Sequence, residues 1–373
     1  MTEWKKMTIG DLCDTISDTY HGDDEEVVLI NTSDVLEGKV LNHQVVENKN
    51  LKGQFKKTFK KNDILYSEIR PANKRYAFID FEDTENYIAS TKLMVLRPRE
   101  DVVRPRFLLS FLSSKSVLED LQQLAEMRSG TFPQITFSSE LAPTPIDVPD
   151  LETQDRIVRI LDVIEKKIST NMEINNNLEQ QVTTAFYNMF GKYEQISNTH
   201  KPLSTIAKFK YGTMPKKDKL GTGHYHAFSG YQIVGTYPEV MFENPQLIIV
   251  ARGVGGCGDV KYTPANCYLT NLSIAIITEK TMHDDYLYHY LRLHDTKIMN
   301  TGSAQPQITV ATLEKIEIPI PPEEEMIRFS DFVQPFKQQY RNNQDENKLL
   351  SKLRDTLLSK LMSGELDISD IDI

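Results

Sequence analysis

Two arginines lie within four residues of the ends of short strand-like segments, and this placement gives them a possible chemistry. Arg70 follows residues 64–66, and Arg252 follows residues 248–250. An arginine at the end of a strand can bind guanine through two hydrogen bonds or can bind a phosphate. We predict from this placement a pair of cations, related by a repeat in the chain, that contact nucleic acid.

Further polar and aromatic loops extend this candidate surface. Residues 49–61 form a lysine-rich run interleaved with Phe55 and Phe59, a pattern typical of either solvated surface or phosphate contacts. Glycine-rich loops near residues 211–217 and 224–231 offer further donors. The candidate DNA-binding residues are Lys56, Lys57, Lys60, Arg70, Asn73, Lys74, Arg75, Thr131, Gln134, Tyr211, Lys216, Lys217, His226, Ser229, Tyr231, Arg252, Ser303 and Gln307.

A search for catalytic or metal-binding patterns finds little. Residues 253–258 are rich in glycine, but a strand and not a helix is expected to follow them, so a tight turn is favoured over a dinucleotide site. His224 and His226 alternate on an extended stretch, and the three cysteines are too far apart along the chain to form a zinc ribbon. Glu68 near Arg70 and Asp259 near Lys261 are read as surface ion pairs. We therefore predict no catalytic residue, no metal and no cofactor in this chain.

Composition limits the class of protein. The chain has 373 residues, 39% of them hydrophobic and 26% charged, which is typical of a soluble globular protein with two domains. We find no secretory signal or apolar run long enough to span a membrane, and the three cysteines favour a reducing cytoplasm. The net charge of −10 mildly disfavours nucleic acid as a partner, although a local basic face matters more.

The chain repeats itself at an offset of about 172 residues. Residues 129–136 return as 301–309 with one insertion, and residues 141–149 return as 313–321. Each copy then enters a long helical pattern with apolar residues at alternating spacings of three and four, which indicates a coiled-coil seam. The predicted seam contains Ile157, Leu161, Ile164, Asn171, Asn175, Leu178, Phe329, Val333, Phe336, Asn343, Asn347 and Leu350.

The two seams predict an antiparallel pair of helices. Pairing them about their midpoints places Asn171 opposite Asn347 and Asn175 opposite Asn343. A parallel pairing also matches the amides, but a two-fold arrangement of repeated units requires the antiparallel one. The alternative for each helix is to pack only on its own domain.

These elements predict an α/β (α+β) fold with two recognition domains in pseudo-two-fold repeat, joined by the two helices. The expected boundaries are a first domain at 1–150, a first spacer helix at 151–192, a second domain at 193–322, a second spacer helix at 323–364 and a tail at 365–373. Strands are predicted at 27–31, 63–69, 76–81, 93–96, 247–251, 258–262 and 269–277, and helices at 105–127 and 284–299.

Several segments together resemble the specificity subunit of type I restriction–modification systems, over essentially the whole chain. They are residues 129–135 (SGTFPQI) with 301–308, residues 146–149 leading into 152–157 (ETQDRI), residues 228–235 (FSGYQIVG), residues 249–253 (IVARG) and residues 353–365 (LRDTLLSKLMSGE). The first copy departs from the pattern, because residues 67–74 lack a glycine-rich turn like that of residues 252–258.

The resemblance implies a non-catalytic, cytoplasmic DNA-recognition subunit. Each domain would read half of a bipartite, interrupted double-stranded DNA site. The helices would hold two methyltransferase subunits, to which S-adenosylmethionine would bind, and restriction subunits would join for cleavage. The alternatives from other classes are a self-contained DNA nuclease or methyltransferase and a scaffold that binds only proteins.

Overall fold

The chain divides into two compact units, Met1–Thr170 with Asp345–Ile373, and Asn171–Gln344. The computed structural model describes residues 4–22, 24–49, 53–128, 132–253, 256–294, 296, 307–362 and 364–366. Unit 1 and unit 2 each contain a mixed α/β domain together with one stretch of each long helix.

Unit 1 is built mainly from two sheets and three short helices, and it includes the last part of the second long helix, α7 (Glu323–Met362). Its elements are β1 (Lys5–Thr8), α1 (Ile9–Leu12), β2 (Cys13–Ile16), β3 (Glu26–Ile30), β4 (Val35–Leu36), β5 (Lys39–Val40), β6 (Val45–Glu47), β7 (Phe55–Lys57), β8 (Ile64–Ser67), β9 (Tyr76–Phe78), β10 (Tyr87–Ser90), β11 (Leu93–Pro98), α2 (Pro105–Leu112), α3 (Lys115–Arg128), β12 (Pro145–Val148) and the first part of α4 (Leu151–Phe190). The strand orders are β6-β3-β10-β7 and β2-β11-β8-β9, with smaller pairs β1-β12 and β4-β5.

Unit 2 repeats the same plan. Its elements are the rest of α4, then β13 (His200–Pro202), β14 (Lys208–Tyr211), β15 (Tyr225–Phe228), β16 (Ile233–Tyr237), β17 (Leu247–Val250), β18 (Val260–Tyr262), β19 (Cys267–Leu269), β20 (Ser273–Ile277), α5 (Thr281–Leu293), α6 (Val310–Lys315), β21 (Glu317–Pro319) and the first part of α7 (Glu323–Met362). Its sheets are β14-β20-β17-β18, β16-β15-β19 and β13-β21.

The sheets of the two units correspond in strand order, except that β7 and the pair β4-β5 of unit 1 have no counterpart among the named strands of unit 2. The antiparallel order β2-β11-β8-β9 returns as β14-β20-β17-β18, and the parallel pair β3 with β10 returns as β15 with β19. The hydrophobic strands β8 and β17 are fully buried at the same place in each sheet. The predicted α/β fold in two repeated copies with long helices is therefore confirmed.

The long helices pack antiparallel within each unit and close the apolar core of each domain. In unit 1, Ile157 and Leu161 of α4 share a core with Leu358 and Leu361 of α7. In unit 2, Val182, Phe186 and Phe190 of α4 share a core with Phe329 and Val333 of α7. The helices thus stabilise the domains by burying apolar area, which is the main favourable term in folding.

The buried seam departs from the predicted heptad near the helix ends. Continuing the predicted spacing of four and three residues from Leu178 gives positions 182, 185 and 189, whereas the buried residues are Val182, Phe186 and Phe190. In α7, Leu358 is more deeply buried than Leu357. The helix ends pack on the domain cores and not only on the other helix, and a period of 3.6 residues drifts from a strict heptad.

Several predicted elements differ in extent from the observed ones, and three of them differ most. The helix predicted at 105–127 is two helices, because Ser113 and Ser114 end α2 and start α3, the Ser113 hydroxyl donating to the Ser110 carbonyl. The strand predicted at 269–277 is two strands, separated by a turn in which the Ser273 amide donates to the Thr270 carbonyl. The helix predicted at 284–299 is α5, which begins at Thr281 and ends at Leu293.

A buried asparagine pair links the two long helices inside unit 2. The Asn343 Nδ2 donates to the Asn175 Oδ1 at 2.8 Å, and the Gln339 Nε2 donates to the Asn343 Oδ1 at the same distance. Both asparagines are buried. Such polar seam residues set the register of a helix pair at a cost in stability.

Replacing both asparagines should stabilise unit 2, whereas replacing one should destabilise it. Asn343→Leu leaves a buried Asn175 amide without its partner, which costs about 1–3 kcal/mol. Asn175→Leu with Asn343→Leu removes both polar groups and should raise the melting temperature above that of the wild type. Thermal unfolding of the four proteins measures the coupling, and a double variant less stable than either single variant would contradict this view of the pair.

The core of unit 2 also contains a buried histidine. His289 lies edge-on to the Phe329 ring, with 5.4 Å between ring centroids, and burial lowers its pKa to about 3. In the unfolded chain this histidine binds a proton near pH 6.5, whereas in the folded chain it stays neutral until much lower pH. The free energy of unfolding therefore has its full value above pH 6.5 and decreases as the pH falls towards 3.

We expect wild-type unit 2 to lose about 2 kcal/mol of stability between pH 8 and pH 5 from this histidine, at about 1.4 kcal/mol per pH unit below 6.5. The measurement is urea unfolding at several pH values. The control is His289→Phe, which keeps an aromatic ring but cannot titrate and should show a shallower pH dependence. Equal pH profiles for the two proteins would count against the assignment.

Candidate nucleic-acid interface

The loops that follow β8 and β17 occupy the same place in the two domains. We call residues 68–74 the β8 loop, and residues 251–253 with 256–258 the β17 loop. Ser67, the last residue of β8, lies opposite Leu93, and Val250, the last residue of β17, lies opposite Ser273. Each loop therefore leaves a buried central strand at an equivalent point.

The repeated glutamine motif holds both loops. Gln134 forms an isolated antiparallel bridge with Ile69, and Gln307 forms one with Arg252. The next residue of each motif donates its amide to the loop, Ile135 to the Glu68 carbonyl at 2.8 Å and Ile308 to the Ala251 carbonyl at 2.9 Å. The motif thus has a structural role in both domains. Thr131 and Ser303 lie outside the described residues.

This register corrects the predicted equivalence of the two arginines. Glu68 corresponds to Ala251, so Arg252 corresponds to Ile69, and Arg70 corresponds to Gly253. Arg70 adopts a left-handed backbone with φ of 45°, and Gly253 has φ of 125°. Adjacent residues of an extended chain point in opposite directions. The two arginines are therefore not presented to solvent in the same way.

Eight predicted contact residues are exposed, and no side-chain hydrogen bond or ion pair is found for them within the described residues. They are Lys56, Lys60, Arg70, Asn73, Lys216, Lys217, His226 and Arg252. Exposed polar side chains of this kind can approach phosphates and base edges without first breaking an internal ion pair.

Other predicted cations of unit 1 are already engaged. Lys57 is half-buried and donates to the Leu93 carbonyl at 2.8 Å, and burial lowers its pKa. Lys74 pairs with Glu37 at 2.9 Å. Arg75 donates from one guanidinium nitrogen to the carbonyls of Ser33 and Val35. Lys57 and Arg75 thus stabilise the domain.

In unit 2 the predicted hydroxyl residues also serve the fold. The Tyr211 hydroxyl accepts from the Val310 amide at the start of α6. The Ser229 hydroxyl is buried, accepts from the amides of Tyr231 and Gln232 and donates to the Gln232 carbonyl. Both hydroxyls therefore take part in holding local backbone of unit 2.

The remaining polar pairs behave as surface ion pairs. Asp259 lies 3.6 Å from Lys261, as predicted, but Glu68 pairs with Lys92 at 3.4 Å and not with Arg70. Lys92 also reaches the Gln134 side chain at 3.4 Å, a contact that the sequence did not reveal. Within the ranges that the structure describes, no group of three or more His, Cys, Asp and Glu side chains is placed to hold a metal ion.

Comparison with known proteins identifies the family. The family described as "Type I restriction modification DNA specificity domain" matches residues 1–180 and again 197–352. The chain belongs to this family. Specificity subunits are non-catalytic DNA-recognition components of these systems, so this chain is a recognition component and not an enzyme.

Curated relatives agree with the family. The chain is 29% identical to the HindI specificity subunit of Haemophilus influenzae, with 98% of this chain and 100% of that protein covered. It is 23% identical to the MjaIX specificity subunit of Methanocaldococcus jannaschii, over 74% of this chain and 72% of that one.

A solved structure agrees with the fold. The S subunit of a type I restriction–modification system from M. genitalium has a TM-score of 0.56 and 18% identity, over 99% of this chain and 97% of that one. Among the described residues of this specificity subunit, no helix is both long and apolar enough to cross a membrane.

Proposed function

We propose that this specificity subunit reads a bipartite, interrupted DNA site, one half with each α/β domain. The observation that carries the proposal is the duplicated construction at the ends of β8 and β17, in which a buried strand, a cation-bearing loop and a glutamine bridge occur once per domain. Arg70, Asn73, Lys56 and Lys60 of unit 1 are the contacts proposed for one half-site.

For the other half-site the proposed contacts are Arg252, Lys216, Lys217 and His226 of unit 2. Direct readout needs side chains that reach base edges in the major groove, whereas lysines on phosphates supply affinity without sequence information. We propose that Arg252 and Arg70 contact base edges or the phosphates beside them, and that the lysines contact phosphates.

The long helices are proposed to set the spacing of the half-sites and to hold two methyltransferase subunits. Each helix has 40 residues, and a helix of that size is about 60 Å long. One turn of B-DNA is about 34 Å, so half-sites more than one turn apart are expected. S-adenosylmethionine is proposed to bind the methyltransferase subunits, with restriction subunits joining for cleavage.

The test is selection of DNA from a pool of random duplexes by this chain assembled with its methyltransferase. The proposal expects two short conserved blocks separated by an unread gap of fixed length. Four residues inserted in both α4 and α7 should change that gap or abolish selection. An unchanged gap would contradict the spacing role, and methylation by the purified chain alone would support a self-contained enzyme instead.

A further inference from the structure

In both domains a side-chain hydrogen bond, called the tie below, joins the loop after the central strand to a second loop. The donor side chain comes from opposite sides of this contact in the two domains. The second loop follows β3 in unit 1 (residues 31–35) and β15 in unit 2 (residues 229–232), and we call it the anchor loop. The pairing of Ile30 with Ala89 and of Phe228 with Leu269 fixes the correspondence, and it matches Ser33 with Tyr231.

In unit 2 the tie runs from the anchor loop to the β17 loop. The Tyr231 hydroxyl donates to the Arg252 carbonyl at 2.7 Å. A Cβ on Gly253 would lie 2.2 Å from that hydroxyl, and a Cβ on Gly256 would lie 2.5 Å from the tyrosine ring. The ring thus packs directly on loop backbone that only glycine allows, and its hydroxyl fixes the peptide of Arg252.

Hydrogen bonds also fix the backbone on which Tyr231 stands. The Ser229 hydroxyl accepts the Tyr231 amide at 3.3 Å, and the Ser273 hydroxyl donates to the Ser229 carbonyl at 3.1 Å. Gly230 has φ of 90°, a left-handed conformation. Tyr231 is 40% exposed, so burial of its side chain does not by itself explain this construction.

In unit 1 the tie runs the other way. Arg75, the residue that directly follows the β8 loop, donates to the Ser33 carbonyl at 3.0 Å and to the Val35 carbonyl at 3.3 Å. The strand register matches Arg75 with Asp259, since their carbonyls accept the amides of Ser67 and Val250 at 2.8 and 2.9 Å. Asp259 cannot donate to a carbonyl when ionised, so unit 2 needs a different donor, and Tyr231 provides it.

We propose that Tyr231 and Arg75 are positioning residues that determine the specificity of one half-site each. Each holds the cation-bearing loop of its own domain, Tyr231 the peptide of Arg252 and Arg75 the loop that contains Arg70. The inference rests on the proposed function. A contact that reads a base must be held within a fraction of an ångström, because discrimination between bases depends on hydrogen-bond geometry.

The test measures discrimination in the two half-sites separately, with the chain assembled with its methyltransferase. Methylation rates are determined for the cognate site and for every single-base substitution in each half. Tyr231→Phe, which removes one hydroxyl, should reduce discrimination about fivefold in one half only. Arg75→Gln should do so in the other half, and Arg75→Lys, which keeps a charged donor, should restore part of it.

Tyr87→Phe is the matched control, since it removes a hydroxyl whose hydrogen bond, to His43 at 2.9 Å, involves neither the β8 loop nor the β17 loop, and it should change neither half. Melting temperatures are recorded for all variants. Equal losses in both halves, or unchanged discrimination with a lower melting temperature, would overturn the proposal. A wild-type complex with no bipartite motif would contradict the proposed function itself, whereas a normal motif with unaltered discrimination in both variants overturns only this inference.

Discussion

Asp285→Ala is expected to destabilise unit 2 by about 3–5 kcal/mol, the cost of removing one partner from a buried charged pair. Asp285 is fully buried on α5 and accepts from the Ser330 hydroxyl at 2.6 Å, the Gln334 amide at 2.9 Å and the Lys337 ammonium at 2.5 Å. These three partners lie on α7, so the carboxylate fixes the domain helix to the long helix.

Urea unfolding followed by far-ultraviolet circular dichroism measures this loss. Asp285→Leu combined with Lys337→Met should recover most of it, because an apolar pair of similar volume leaves no buried charge unpaired. Asp345→Ala is the control, since Asp345 makes an exposed pair with Lys348, and exposed pairs contribute about 0–1 kcal/mol. A loss below 1 kcal/mol for Asp285→Ala would contradict the structural role assigned to this carboxylate.

Arg252→Ala is expected to weaken recognition of one half-site about 10- to 100-fold, in line with a lost bidentate contact to a base. Arg252 is exposed at the end of a buried strand, with its backbone held by Gln307 and Tyr231. Arg70→Ala should weaken recognition of the other half-site. The base that Arg70 contacts is expected to differ from the base that Arg252 contacts, because Arg70 occupies the position of Gly253.

Binding of the assembled complex to cognate and substituted duplexes, at several salt concentrations, measures both effects. A base contact relaxes discrimination at one position, whereas a phosphate contact weakens all sequences equally and lowers the salt slope by about one. The matched control is Lys208→Ala, a cation of unit 2 that is paired with Glu279. Binding by Arg252→Ala that equals the wild type for every duplex would contradict the assignment.

The duplicated fold was predictable because its signals are local and strong. The similarity of residues 129–136 to residues 301–309 indicates the repeat, and the apolar spacing of α4 and α7 predicts long helices. The extents of α2 and β20 were not predictable, because Ser113 and Thr270 end elements through local hydrogen bonds inside otherwise apolar runs.

The candidate site was predictable only in part. Exposed cations such as Arg252 and Lys216 follow from loop composition, but the register that matches Arg70 with Gly253 requires the strand pairing. Arg75 and Tyr231 look like surface donors in the sequence, and their carbonyl partners lie 42 and 21 residues away along the chain. No local pattern identifies such partners, since they are chosen by tertiary packing.

The most direct measurement is single-molecule sequencing of methylated DNA from cells that express this chain with a type I methyltransferase subunit proposed as its partner, or either protein alone. We predict a bipartite methylated motif only when both proteins are present. A motif produced by this chain alone would show catalysis and contradict a pure recognition role, and a continuous motif with no gap would contradict one half-site per domain.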